Sequence, residues 1–163
     1  MALNEKKSPE ERVIALLLER GFTITTAESC TGGALSATLV NVSGASEVFE
    51  EGYVTYSNKA KHKNLGVKKS TLKAYGAVSK QTAKEMCKGC LKKAKADVAI
   101  SVTGIAGPGG GTAEKPVGLV YIGCCVQGKT KVIKCQFSGS RSEVRSQSVQ
   151  TALMLAEKCI QKY

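Results

Sequence analysis

Between Phe22 and Val40 the apolar residues change their period. Phe22 to Ala27 alternates and is rich in Thr and Ile, as a strand requires, whereas Leu35 and Leu39 repeat at helical spacing within Thr31 to Val40. The switch takes place across Glu28-Ser29-Cys30-Thr31-Gly32-Gly33, which restricts the chain to folds that interleave strands with helices. A nucleophile at such a junction meets backbone N–H groups left unpaired by the first helical turn, at the positive end of its dipole. Ser29 and Cys30 both stand there.

The rest of the chain continues the alternation. Ser8-Pro9-Glu10-Glu11 opens a first helix with a capping box and a proline at its first position, and Gly21 stops it. Val48 to Ser57 reads as a strand, Asn58 as the N-cap of a short helix ending near Leu65-Gly66, and Ser79 as the cap of a helix to about Ala94. Val98 to Thr103 is a strand that runs into the loop Gly104 to Gly111. Val117 to Val126 has the continuous apolar run of a central strand, Lys131 to Phe137 alternates like a strand near an edge, and Ser140 begins a helix to about Ile160. The expected fold is a single α/β domain over 1–163, with three α/β/α layers and a mixed central sheet.

Several classes of function are excluded or disfavoured. The longest apolar run is half a membrane span, and Met1 to Ser8 is too polar for a signal peptide, so a cytoplasmic protein without membrane contact is expected. Seven cysteines, with only Cys87-x-x-Cys90 at ligand spacing, suggest reduced thiols and no metal site. The net charge of +11 raises nucleic acid as a partner, but only four of the 24 basic residues are arginine and aromatic content is 5% without Trp. The lysines read as scattered over a solvated surface, and nucleic acid is not the expected partner.

His62, between Lys61 and Lys63 on the short helix, reads as a surface histidine and leaves a Ser-His-Asp triad unsupported. Lys61 is a better base: at the third helical position, the dipole and the neighbouring Lys59 and Lys63 disfavour its charge. Spacing alone also fits a solvated lysine, and fits it more readily. Tyr56 would lie at the end of the preceding strand. In the last helix the apolar stripe Val149, Ala152, Leu153, Ala156, Ile160 extends backward by fours to Arg145 and Arg141. Cations in a first turn oppose the dipole, so an anionic ligand or a carboxylate such as Glu143 or Glu114 should compensate them. A structural ion pair and a phosphate site both fit that pattern. The glycine loop matches neither the phosphate-loop nor the dinucleotide pattern.

Thr26 to Gly33, Gly52 to Lys61, Gly76-Ala77-Val78-Ser79, Ser101 to Pro108, Lys115-Pro116-Val117-Gly118 and Phe137 to Arg141 together resemble the CinA C-terminal-domain family over nearly the whole chain. The resemblance implies hydrolysis of nicotinamide mononucleotide to nicotinate mononucleotide and ammonia in pyridine-nucleotide salvage, by a homodimer needing no metal or cofactor. It puts the nucleophile on Ser29, with Lys61 and Tyr56 beside it. Glu28, Cys30, Thr31, Gly32 and Gly33 would form the substrate-facing turn, and Thr103, Gly104, Ile105, Ala106 and Gly107 would adjoin the substrate. Arg141 or Arg145 would meet the phosphate. A nucleotide-binding or competence-associated regulatory module that retains the pocket without turnover is the alternative.

Overall fold

The computed structural model describes residues 7–163, so most of the polar stretch Met1 to Ser8 lies outside the described residues. Five strands form one mixed sheet, β1 (Ile24–Glu28), β2 (Phe49–Val54), β3 (Val98–Gly104), β4 (Leu119–Val126) and β5 (Lys129–Gln136), in the order β2-β1-β3-β4-β5. β1 is parallel to both β2 and β3, and the last two pairings are antiparallel. Six helices, α1 (Pro9–Arg20), α2 (Ala34–Val40), α3 (Asn58–Leu65), α4 (Lys69–Tyr75), α5 (Lys80–Ala94) and α6 (Arg141–Ile160), complete the expected α/β/α layers. No helix of the described residues is long and apolar enough to cross a membrane.

The capping chemistry accounts for the helix bounds. Ser8 and Glu11 close the expected box on α1, Gly21 ends it with φ of 63°, and Ser140 with Glu143 forms a second box on α6. Strand alternation then sorts the layers. Ile24 pairs in register with Val98, and both join Val13, Leu17, Leu35 and Leu153 in the core beneath α1, α2 and α6. Ala27 and Ala99, on the opposite face, meet Met86, Cys87 and Cys90 of α5. The two cysteines of the C-x-x-C motif are thus fully buried small apolar residues; Cys87 Sγ donates to Ala99 O at 3.3 Å.

Some local expectations shift. The N-cap of α3 is Ser57, whose hydroxyl accepts from Ala60 N–H, and Asn58 is the first helical residue. Lys61 therefore falls one position deeper. α2 begins at Ala34 rather than Thr31, β2 ends at Val54, and α4 fills a stretch with no sequence assignment. β4 is interior and β5 is an edge, as their patterns indicated. The three parallel strands end together at Glu28, Val54 and Gly104, and in open α/β sheets such carboxyl ends line ligand sites.

Candidate active site

The turn after β1 is built around a buried carboxylate. Glu28 shares a face with Ile24 and Thr26, which points it under α2, where it accepts from Gly33 N–H (3.2 Å), Leu35 N–H (2.8 Å), Ser36 N–H (3.0 Å) and Ser36 Oγ (2.7 Å). It is fully buried and caps α2 rather than facing a substrate. Removing it leaves several buried donors without an acceptor. Glu28→Ala is therefore expected to lower stability to urea unfolding by roughly 3 kcal/mol; an unchanged midpoint would show that the carboxylate carries no structural load.

The same capture narrows which backbone N–H groups of the junction remain unpaired. Gly33 N–H is bound by Glu28 and Gly32 N–H by Ser29 O, so neither glycine is available. Cys30 and Thr31 N–H find no acceptor among the described residues. The peptide carrying Cys30 N–H is held by Gly32 N–H donating to Ser29 O (3.1 Å), and the next two peptides by Arg145, whose Nε donates to Cys30 O (3.0 Å) and whose Nη2 donates to Thr31 O (2.9 Å). Arg145 thus positions the turn, and it is absent from the cavity wall.

Lys61 reaches the turn from α3. It is 1% exposed, and its Nζ lies 2.8 Å from Ser29 Oγ, 2.7 Å from Thr55 O and 3.4 Å from Tyr56 O. The two carbonyls can take two N–H groups of a neutral amine. The third direction then presents a lone pair to the Ser29 hydroxyl. Burial lowers the Lys61 pKa from its ordinary value to about 8. Desolvation, rather than the dipole or Lys59 and Lys63, is the main cause. Cys30, beside Ser29, is driven the other way: burial raises its thiol to about 11, so it is protonated near neutral pH.

In front of Ser29 lies a cavity of about 260 Å³. Ser29 and Cys30 form its floor, Ala77 and Val78 one wall, and Thr103 to Gly107 with Gly109 and Gly110 the other. Thr103 Oγ1 donates to Ala77 O at 2.9 Å and ties the walls together. Glycine is required at Gly104, because a Cβ there would press on Val120 and the Leu119 carbonyl. Tyr56 and Arg141 line the rim. Arg141 Nη1 donates to Gly107 O (2.8 Å) and Nη2 to Tyr56 Oη (3.1 Å). Neither arginine has the anticipated carboxylate partner: Glu143 caps α6, and the ion pair among the described residues is Arg12–Glu157.

Ser29, Cys30, Tyr56, Thr103 to Gly107 and Arg141 are thus brought to one cavity, with Lys61 behind the serine. Glu28, Thr31, Gly32, Gly33 and Arg145 build the turn without lining the cavity. His62 is exposed, with Nδ1 2.8 Å from Val67 O. The residue-by-residue reading missed Thr55, which contributes only a carbonyl, and the wall residues Ala77 and Val78. Their signal was the Gly76-Ala77-Val78-Ser79 block, whose one hydroxyl, on Ser79, is taken up in capping α5.

A family profile described as the CinA C-terminal domain matches residues 6–160. A putative competence-damage inducible protein of Clostridium perfringens is 57% identical over 144 residues, covering 88% of this chain and 35% of the relative. The chain therefore spans about a third of the length of that curated relative. Among solved structures, a competence-damaged protein (CinA) superfamily protein of Klebsiella pneumoniae superposes with a TM-score of 0.92 at 35% identity, covering 95% of this chain and 97% of the other. A competence/damage inducible protein of Agrobacterium tumefaciens gives 0.91 at 42% identity, covering 94% and 93%.

Proposed function

We propose, from the premise that this chain belongs to the CinA C-terminal-domain family, that it hydrolyses the carboxamide of nicotinamide mononucleotide through a serine nucleophile and a lysine base. The observation that carries the reading is the buried Lys61 Nζ, 2.8 Å from Ser29 Oγ, at the floor of a cavity whose rim bears an arginine. Ser29 Oγ attacks the carboxamide carbon while neutral Lys61 takes its proton. The oxyanion is held by Cys30 N–H, in a turn that the Gly32 N–H bond to Ser29 O and the Arg145 bonds to Cys30 O and Thr31 O fix in advance. Lys61 then passes the proton to departing ammonia, and water, deprotonated by the same amine, releases nicotinate mononucleotide.

Arg141 supplies the anion selectivity. Its guanidinium is held by a carbonyl and a phenol oxygen, so its full charge faces the rim without an anionic partner. Tyr56, which accepts from Arg141, keeps its own O–H free to donate to the substrate. The test is release of ammonia and nicotinate mononucleotide from the purified chain. Binding of the nucleotide with no turnover would overturn the hydrolase in favour of a regulatory module.

A substrate pair isolates the arginine. Arg141→Ala is expected to raise KM for the mononucleotide by about 30-fold, the equivalent of one charge-assisted contact, while leaving turnover of nicotinamide riboside unchanged. Equal losses on nucleotide and riboside would assign Arg141 to the loop alone.

A further inference from the structure

Residues 58–95 hold twelve of the chain's 24 basic residues and one of its 13 acidic residues. That segment carries the whole net charge of +11, and the other residues balance, twelve against twelve. In the fold it is α3, α4 and α5, the layer covering one face of the sheet. Lys61 is buried at Ser29; the other eleven lysines are exposed. The single carboxylate, Glu85, is engaged within the layer, accepting from Lys68 N–H (2.8 Å) and Thr71 Oγ1 (2.6 Å). Among the described residues none of the eleven forms an ion pair.

The charges are ordered as well as concentrated. Lys80, Lys84, Lys88 and Lys92 recur every four residues, which sets them in a row along α5 at a pitch of about 6 Å. Lys84, Lys88 and Lys92 border a groove of about 480 Å³, which Lys68 also lines. Gly89 belongs to the same groove, where the Leu65 carbonyl of α3 approaches α5 too closely for a Cβ.

We propose that this layer docks the phosphodiester backbone of nucleic acid without reading its sequence. A regular row of point charges suits a linear polyanion with one phosphate per ~3.4 Å of axis on each strand. Ammonium groups neutralise phosphates but lack the guanidinium fork that reads guanine edges, and all four arginines lie outside the segment. Stable binding of an acidic protein draws on an apolar anchor at the centre of the patch, and stable membrane binding on inserting side chains in addition to electrostatic attraction. The layer's one exposed large apolar side chain among the described residues is Tyr75. Lysines elsewhere in the chain are offset in number by acidic residues, whereas those of this layer are not.

Anisotropy of labelled mixed-sequence 20-bp DNA and RNA duplexes, titrated with the full chain between 50 and 200 mM salt, tests the proposal. Binding to both duplexes is expected, weakening with salt at a log–log slope of about −3 to −4 for four neutralised phosphates. The charge reversals K84E/K88E/K92E should weaken binding at least tenfold and flatten the slope by about three. K129E/K131E/K134E on β5 makes the same change in net charge and should alter binding less than twofold. If the first triple does not fold, K84Q/K88Q/K92Q is expected to show a smaller loss in the same direction. Equal losses in the α5 and β5 triples, selectivity for one base sequence, absence of binding, or tighter binding to phosphatidylserine vesicles than to duplex would each overturn the proposal.

Discussion

Ser29→Ala is expected to reduce turnover of nicotinamide mononucleotide by about 10³-fold or more, with nucleotide affinity nearly unchanged. The asymmetry follows from placement. Ser29 Oγ sits at the cavity floor against Lys61 Nζ, whereas the phosphate contact assigned to Arg141 lies at the rim. Removing one hydroxyl eliminates the covalent route but leaves the walls and the rim cation intact. Cys30→Ala separates the two candidate nucleophiles: its thiol is protonated at neutral pH and its N–H, which survives the substitution, is the group used. That variant should therefore keep turnover within a few-fold of wild type. Steady-state ammonia release combined with isothermal titration checks both. Wild-type turnover in Ser29→Ala would remove the serine from the mechanism, and loss in Cys30→Ala alone would transfer the role to the thiol.

What the sequence disclosed about this site was its chemistry more than its connections. The glycine stop at Gly21 and the Ser140 cap are local events, set by neighbours within four residues, and they stand where the patterns put them. Lys61 was legible as a candidate base, but its burial was not. Burial depends on β2 ending at Val54 and on Ser57 taking the cap, so that the side chain turns under Thr55 toward a serine 32 residues away. Arg145 shows the same limit more strongly. Its helical spacing places it on the inward face, but its acceptors are carbonyls 115 and 114 residues earlier in the chain. Backbone groups have no sequence signature. For that reason an arginine that braces a turn and one that faces a cavity are indistinguishable until the helix is docked. Glu28 belongs to the same class: alternation gives its face, but only the return of α2 over that face supplies its donors.

Lys61→Ala is expected to lower turnover by about 10²- to 10⁴-fold, the range for loss of a positioned general base. Lys61→Arg should do no better, since a guanidinium stays protonated and offers no lone pair. In the proposed mechanism the neutral amine is the form that takes the proton, and burial lowers its pKa to about 8. Activity should accordingly be low at pH 6, rise with pH through about 8 and level off above it. A lysine at its ordinary ~10.4 would still be climbing at pH 9. The stability linkage has a matching sign. Because the folded state holds the Lys61 proton less tightly than the unfolded chain, lowering the pH from about 10 to about 8 costs folding free energy, and below 8 the cost is constant. Compared with Lys61→Met, which titrates nowhere in this range, the wild type should lose relative stability across that window and no further beneath it. Denaturant midpoints measured at pH 7, 8, 9 and 10 give that difference directly, independently of turnover. A pH-independent gap between the two proteins, or an activity profile flat between pH 6 and 9, would show that Lys61 does not exchange its proton near pH 8 and would leave Ser29 without its base.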